Sequence, residues 1–147
     1  MKISTIIFAT GLTLSTLHGA DSAFELRLVV DRATNGAVEM NHKDMKLWVE
    51  GAAAFTCNDI KQAGALYTPE WEVTIKFTDE AAKRFGDYSK THVGSQLAIL
   101  SRGKIVSAPV LRQAITGGAV NITGLTQAAA RDMAAAIKAE LKKTSAK

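Results

Sequence analysis

The stretch Trp71-Glu72-Val73-Thr74-Ile75-Lys76-Phe77 alternates apolar and polar residues without a break and runs straight into a helix start. Successive side chains on a strand point to opposite faces, so this pattern calls for a sheet with one covered face and one wet face. Thr78 follows where a helix N-cap belongs, and Asp79 and Glu80 fill the first turn, where carboxylates favour the helix dipole. Ala81, Ala82, Phe85 and Tyr88 then recur at helical spacing. The junction predicts a helix folded back over the buried face of its own strand, with Trp71, Val73, Ile75 and Phe77 turned toward it.

The rest of the chain reads around that unit. Phe24 to Val30 alternates as a strand, and the polar stretch Asp31 to Asp44 carries the turn pair Asn35-Gly36, as a loop or an irregular hairpin. Met45 to Glu50 alternates again. Thr56-Cys57-Asn58-Asp59 has the spacing of a capping box and predicts a short helix near Asn58–Ala65, ended by Tyr67-Thr68-Pro69. Gln96–Leu100 and Ile105–Leu111 are apolar runs joined by Ser101-Arg102-Gly103-Lys104, a hairpin. Gly117-Gly118 turns into a short strand, Ala119–Ile122, closed by Gly124. Thr126 caps a last helix in which seven of the twelve residues from Ala128 to Ala139 are alanine, the best helix former. Its apolar stripe is Ala130, Met133, Ala134, Ile137 and Leu141. The expected class is α+β: a mainly antiparallel sheet with two main helices packed on one face, a ferredoxin-like variant.

Residues 1–20 read as a leader rather than as part of this fold. One charge at Lys2, an apolar run from Ile3 to Leu17 and the small-residue exit Gly19-Ala20 describe a secretory signal peptide. The run is too short and too rich in Ser and Thr for a membrane span. The mature chain is expected to begin between Asp21 and Phe24, to lack a transmembrane segment and to reside in the periplasm or outside the cell. The expected layout is a signal peptide at 1–20, a strand and polar loop at 21–46, one domain at 47–143 and a tail at 144–147. At 147 residues, with 47% hydrophobic and 22% charged, the chain allows one core and hardly two. Cys57 is the only cysteine, so no internal disulfide forms, and burial suits it better than reactivity.

The formal charge of +4 does not describe a nucleic-acid binder. Lys138, Lys142, Lys143 and Lys147 crowd the end of the last helix, where cations favour the dipole, and no aromatic-interleaved basic patch occurs. Nor is there a catalytic or metal-ligating constellation. His42 and His92 lack ligand spacing, and one thiol makes no zinc cluster, so neither metal nor cofactor is expected. Ser101 and Lys104 match Ser-x-x-Lys, but that chemistry needs the pair one helical turn apart, and here they flank a hairpin turn. Asp79-Glu80 and Glu70/Glu72 read as a helix first turn and a wet strand face.

One resemblance spans roughly residues 47–141. The runs Phe77-Thr-Asp-Glu-Ala-Ala-Lys-Arg-Phe85, Val93-Gly94, Leu97-Ala-Ile-Leu100, Gly103-Lys-Ile-Val-Ser-Ala-Pro-Val110, Ile115-Thr-Gly-Gly118 and Ile122-Thr-Gly124 resemble the SecD family, specifically the head subdomain of the first periplasmic domain of SecD/SecDF. Phe55 to Ala63 fits the short helix that precedes that block in such domains. The chain departs from the family at Arg102, where an acidic residue usually precedes the hairpin glycine. The resemblance implies a non-enzymatic periplasmic module that binds polypeptide or an envelope protein, with association with the Sec translocon as the natural context. The alternatives are an envelope scaffold that binds a small ligand, or an inhibitor of an envelope enzyme.

The docking surface is expected at Lys104, Ile105, Val106, Ser107, Ala108, Pro109, Val110 and Leu111, with the turn at Gly117 and Gly118. Pro109 donates no ladder hydrogen bond and so marks an edge or a bulge, where an extended chain can add a strand.

Overall fold

The computed structural model describes residues 22–146; the leader expected at 1–20 lies outside them. Nine strands and two helices follow one another: β1 Glu25–Leu28, β2 Val38–His42, β3 Met45–Val49, β4 Phe55–Thr56, β5 Ile60–Tyr67, β6 Trp71–Phe77, α1 Asp79–Thr91, β7 Leu97–Ser101, β8 Lys104–Ser107, β9 Ala119–Leu125 and α2 Gln127–Ser145. The class is α+β and every strand pairing is antiparallel.

The single sheet expected from the alternation is divided into three. Their orders are β4-β1-β7-β8, β2-β3 and β5-β6-β9. A ferredoxin-like variant does not follow from these pairings. Two apolar clusters explain the division. The larger gathers Phe24, Leu26, Phe55, Val73, Ile75, Phe77, Phe85, Ile99, Met133 and Ile137, so the two larger sheets and both helices share one core. The smaller holds Val49, Ala98, Leu100 and Ile105, with Met40 and Leu47 packed against it, and lies under the β2–β3 hairpin. β7 therefore reads as a continuous apolar run because it is covered on both faces.

Local chemistry sets the helix starts. Thr78 Oγ1 accepts from Ala81 N at 3.2 Å, and Thr126 Oγ1 accepts from Ala129 N at 3.2 Å. Both are the N-caps expected from sequence, and the buried stripes Ala81/Phe85 and Ala130/Met133/Ala134/Ile137 follow at helical spacing. α2 continues to Ser145, into the stretch read as a tail.

The helix expected near Asn58–Ala65 is absent. The capping box is real: Thr56 Oγ1 accepts from Asn58 N at 3.3 Å, and Asp59 Oδ2 accepts from Thr56 N at 2.9 Å. It closes only a 3-10 turn, Cys57–Asp59, pinned by an ion pair from Arg84 to Asp59 at 2.7 Å. From Ile60 the chain becomes β5, which pairs with β6 and buries Ile60 and Ala63. Gly64 is a poor helix residue, and the long pairing with β6 overrides the remaining local preference. β9 likewise runs past Gly124 to Leu125, through a register shift opposite Trp71 and Val73.

The polar stretch before β3 resolves into a turn at Asn35-Gly36 followed by β2, which pairs with β3 from Val38↔Val49 to His42↔Met45. The β7–β8 hairpin closes in two residues, with Ser101 opposite Lys104. Arg102 and Gly103 have φ of 50° and 74°, and two successive positive φ values are what a type I′ turn requires. Glycine meets this freely and arginine does not. Arg102→Asn is therefore expected to stabilise the fold by about 0.5–1 kcal/mol, because asparagine tolerates the left-handed region. Thermal unfolding measures this, and an unchanged or lower midpoint would show that the Arg102 side chain contributes more than its backbone costs.

Candidate functional site

β8 is the end strand of its sheet, and Pro109 lies two residues past its last residue, Ser107. Pairing along it is interrupted by a register shift between Ile99 and Leu100, after which the segment 108–111 continues beside β7. Leu97 N donates to Pro109 O at 2.9 Å, Gln96 Nε2 to Ala108 O at 2.8 Å, and Leu111 N to Ser95 O at 2.8 Å. One side of the segment is thus fully engaged.

Its side chains divide. Ile105 belongs to the smaller cluster and Ala108 packs against it. Val106 packs against the main core, and Leu111 is part of it. Neither Val106 nor Leu111 is free for a ligand, contrary to the view of both as apolar groups beside an open edge. Lys104 and Pro109 are exposed, Ser107 is half-buried, and Val110 is 52% exposed. The margin of β8 is also less bare than an isolated edge. His42 Nδ1 sits 3.3 Å from Ile105 O, which brings the end of β2 against this strand. What remains open is the short surface formed by Ser107, Pro109 and Val110.

Gly117 and Gly118 close the crossing segment that leads from this strand to β9. Its middle is fixed by Ser89, a buried α1 residue whose Oγ accepts from Ile115 N at 2.9 Å and lies 2.9 Å from Gly86 O. Gly118 has φ of 70°, and its carbonyl accepts from Phe77 N at 3.0 Å. A Cβ there would come within 3.0 Å of the Ala82 Cβ. Gly118 therefore serves a close approach to α1, while Gly117 stays exposed.

Several other chemistry-bearing residues have structural partners, whereas the buried Tyr88 hydroxyl has no hydrogen-bond partner among the described residues. Ser101 and Lys104 face each other across the hairpin mouth, not along a helix. His92 ends α1: its Nδ1 donates to Tyr88 O at 2.7 Å, and its ring stacks on Tyr88 at 4.1 Å. Asp79 meets Lys61 at 3.5 Å on the surface. Cys57 is buried, and burial with the Glu140 carboxylate beside it pushes its thiol up to about 12, so it stays protonated near neutral pH. Burial, with Glu50 nearby, likewise raises the Tyr88 phenol to about 12. Among the described residues no group of three or more His, Cys, Asp or Glu side chains is placed to hold a metal ion.

Sequence reasoning missed one buried charge pair. Glu25 holds a polar position of an alternating strand, yet it is 2% exposed and meets Arg27 at 2.6 Å. Arg27 also donates to Gly51 O at 2.7 Å and Glu50 O at 3.2 Å. The alternation alone does not show the ties that Arg27 makes to the 50–51 segment.

These features define a class: an α+β domain with a shared core beneath two sheets, an end strand punctuated by proline, and a glycine crossing tied to the first helix. The family described as the SecDF P1 head subdomain matches residues 33–141. The chain belongs to that family. The match takes in the β2–β3 hairpin, upstream of the expected domain start at 47. Relatives include the protein translocase subunit SecD of Acidaminococcus fermentans, 39% identical over 58% of this chain and 20% of that protein. SecDF of Thermus thermophilus is 38% identical over 52% of this chain and 11% of its own length, and SecD of Aquifex aeolicus is 32% identical over 79% and 26%. The chain thus spans about a quarter or less of these relatives. A solved structure of SecDF, described as a membrane component that enhances protein export, superposes with a TM-score of 0.64 at 26% identity, covering 82% of this chain and 63% of that one. SecDF in a super-membrane-facing form gives 0.62, again at 26% identity, over 80% and 19%. The chain is a SecD head-like domain related to the protein export machinery. Among the described residues no helix is long and apolar enough to cross a membrane.

Proposed function

We propose that this chain is a non-enzymatic envelope module that holds extended polypeptide, in or alongside protein export, after removal of a leader at its N-terminus. The observation that carries the reading is the exposed pair Pro109-Val110 just beyond the end strand β8, in a domain of the SecDF head family. Pro109 O is taken by Leu97 N on the β7 side, and Val110 offers an exposed apolar side chain. An extended segment laid there gains a few main-chain hydrogen bonds and one apolar contact, and it loses conformational entropy. Binding is accordingly weak and sequence-tolerant, as suits a chain in transit. It depends little on salt, because its contacts are main-chain and apolar rather than ionic.

Val110 is the residue to change, since Val106 and Leu111 serve the core. Val110→Lys is expected to fold normally and to weaken binding of an unfolded, reduced polypeptide several-fold, read by fluorescence anisotropy. Equal binding by the variant would remove this segment as the docking surface.

A further inference from the structure

β5 is an end strand of its sheet and the longest strand of the described residues. Among those residues, the main chain of 61–67 pairs only with β6. The ends of the four-stranded sheet are guarded: β4 is two residues long, and His42 meets the Ile105 carbonyl at β8. β5 has Lys61 near its start and no proline, and its register shift lies between Ile60 and Gln62, so Gln62–Tyr67 runs regular. Alternate main-chain donors and acceptors of that run face outward, a template for another strand. Leu66 and Tyr67, 51% and 60% exposed, stand at one end of this margin, and exposed Lys61 at the other. Ala63 is buried and Ala65 packs on the core, so Gln62, Gly64 and Leu66 share the outer face.

We propose that β5 pairs antiparallel with β5 of a second copy of this chain, joining two three-stranded sheets into one of six strands. The strand is complementary to itself. A two-fold axis through Gly64, normal to the sheet, keeps the helix-covered faces of both copies on one side. It sets Gly64 opposite Gly64, Ala63 opposite Ala65 and Gln62 opposite Leu66, and it brings Lys61 to the Tyr67 ring. No like charges oppose each other along the strand, and each exposed apolar side chain is covered by the same sequence that supplies it. This match favours a second copy over an arbitrary chain. The contact is one strand margin with two apolar side chains a side, so the dissociation constant is on the order of 100 µM. The surface at Val110 lies beyond β8, on the other sheet, and takes no part.

The test is sedimentation equilibrium of the full chain in soluble form, from roughly 10 µM to 1 mM. The mass is expected to rise from one copy toward two, and a chain that stays monomeric throughout overturns the proposal. A Cβ on Gly64 would meet nothing within 4 Å, and its φ is not left-handed, so side chains are tolerated there. Gly64→Lys and Gly64→Glu each set like charges face to face on the axis and are expected to weaken association several-fold. Their equimolar mixture sets Lys against Glu and is expected to associate at least as well as the unmodified chain. A mixture no tighter than either variant alone overturns the pairing at Gly64. Should those variants fail to fold, Leu66→Lys at its exposed position is expected to weaken association about tenfold, because the symmetric contact is lost twice. Unchanged association there overturns the proposal. A monomeric chain whose β5 amides shift on adding an unfolded, reduced polypeptide overturns the second copy as the occupant.

Discussion

Phe85→Ala is expected to cost about 3–5 kcal/mol, a large share of the stability of a domain this size. Phe85 is buried where α1 meets β4 and β6. Its ring lies 4.8 Å from that of Phe77 and 5.3 Å, edge-on, from that of Phe55. The Arg84 guanidinium covers the Phe55 ring at 5.1 Å while pairing with Asp59, so the neighbours are held and collapse poorly into a void. Urea unfolding should show a lower midpoint with an unchanged slope. A loss below about 1 kcal/mol would mean that α1 does not seat on this ring cluster.

Ile75→Ala is expected to cost about 2–5 kcal/mol, and Thr74→Ser, its neighbour, about 0.5 kcal/mol or less. Ile75 is fully buried, pairs with Ala63 and Val120 across the sheet, and shares the core with Met133 and Ile137 of α2. Thr74 faces the other way, into a shallow open depression lined with Gln62, Gly64, Leu66 and Lys76. The contrast between adjacent residues reads the face assignment directly. Equal losses would mean that α2 does not cover this face of β6.

Those two residues also show what the chain makes legible. The alternation in β6, the caps at Thr78 and Thr126 and the stripes on both helices depend on neighbours within a few positions, and all appear as expected. Trp71 is the partial exception. It starts the strand half-exposed, with Arg131 over its ring at 5.0 Å. What was not legible depends on distant partners. β5 carries a helix-start pattern and becomes a strand because β6 lies beside it. Glu25 is polar and yet buried, paired with Arg27, whose guanidinium is held by the carbonyls of Glu50 and Gly51, distant in sequence. Ser89 and Gly86 lie on or beside the Ala82/Phe85 face of α1 but are not apolar, and the crossing segment that contacts them is distant in sequence.

The candidate site divides along the same line. Pro109 led to the expectation of a sheet margin through its own missing donor; β8 is an end strand, and Pro109 lies two residues past it. The direction of Val106 and Leu111 depends on the register shift beside Leu100 and on the ties from Ser95 and Leu97. Composition does not disclose these, so the surface that remains is smaller than the eight-residue strand expected.

The central claim is that this small surface holds extended polypeptide. The most direct measurement is a titration of the isotopically labelled protein with an unfolded, reduced polypeptide, followed by amide chemical shifts. The expected result is saturable change centred on the amides of Ser107, Ala108 and Val110, largest at Val110 and little altered by salt. An unchanged spectrum at high ligand concentration, or shifts clustered elsewhere, would contradict it.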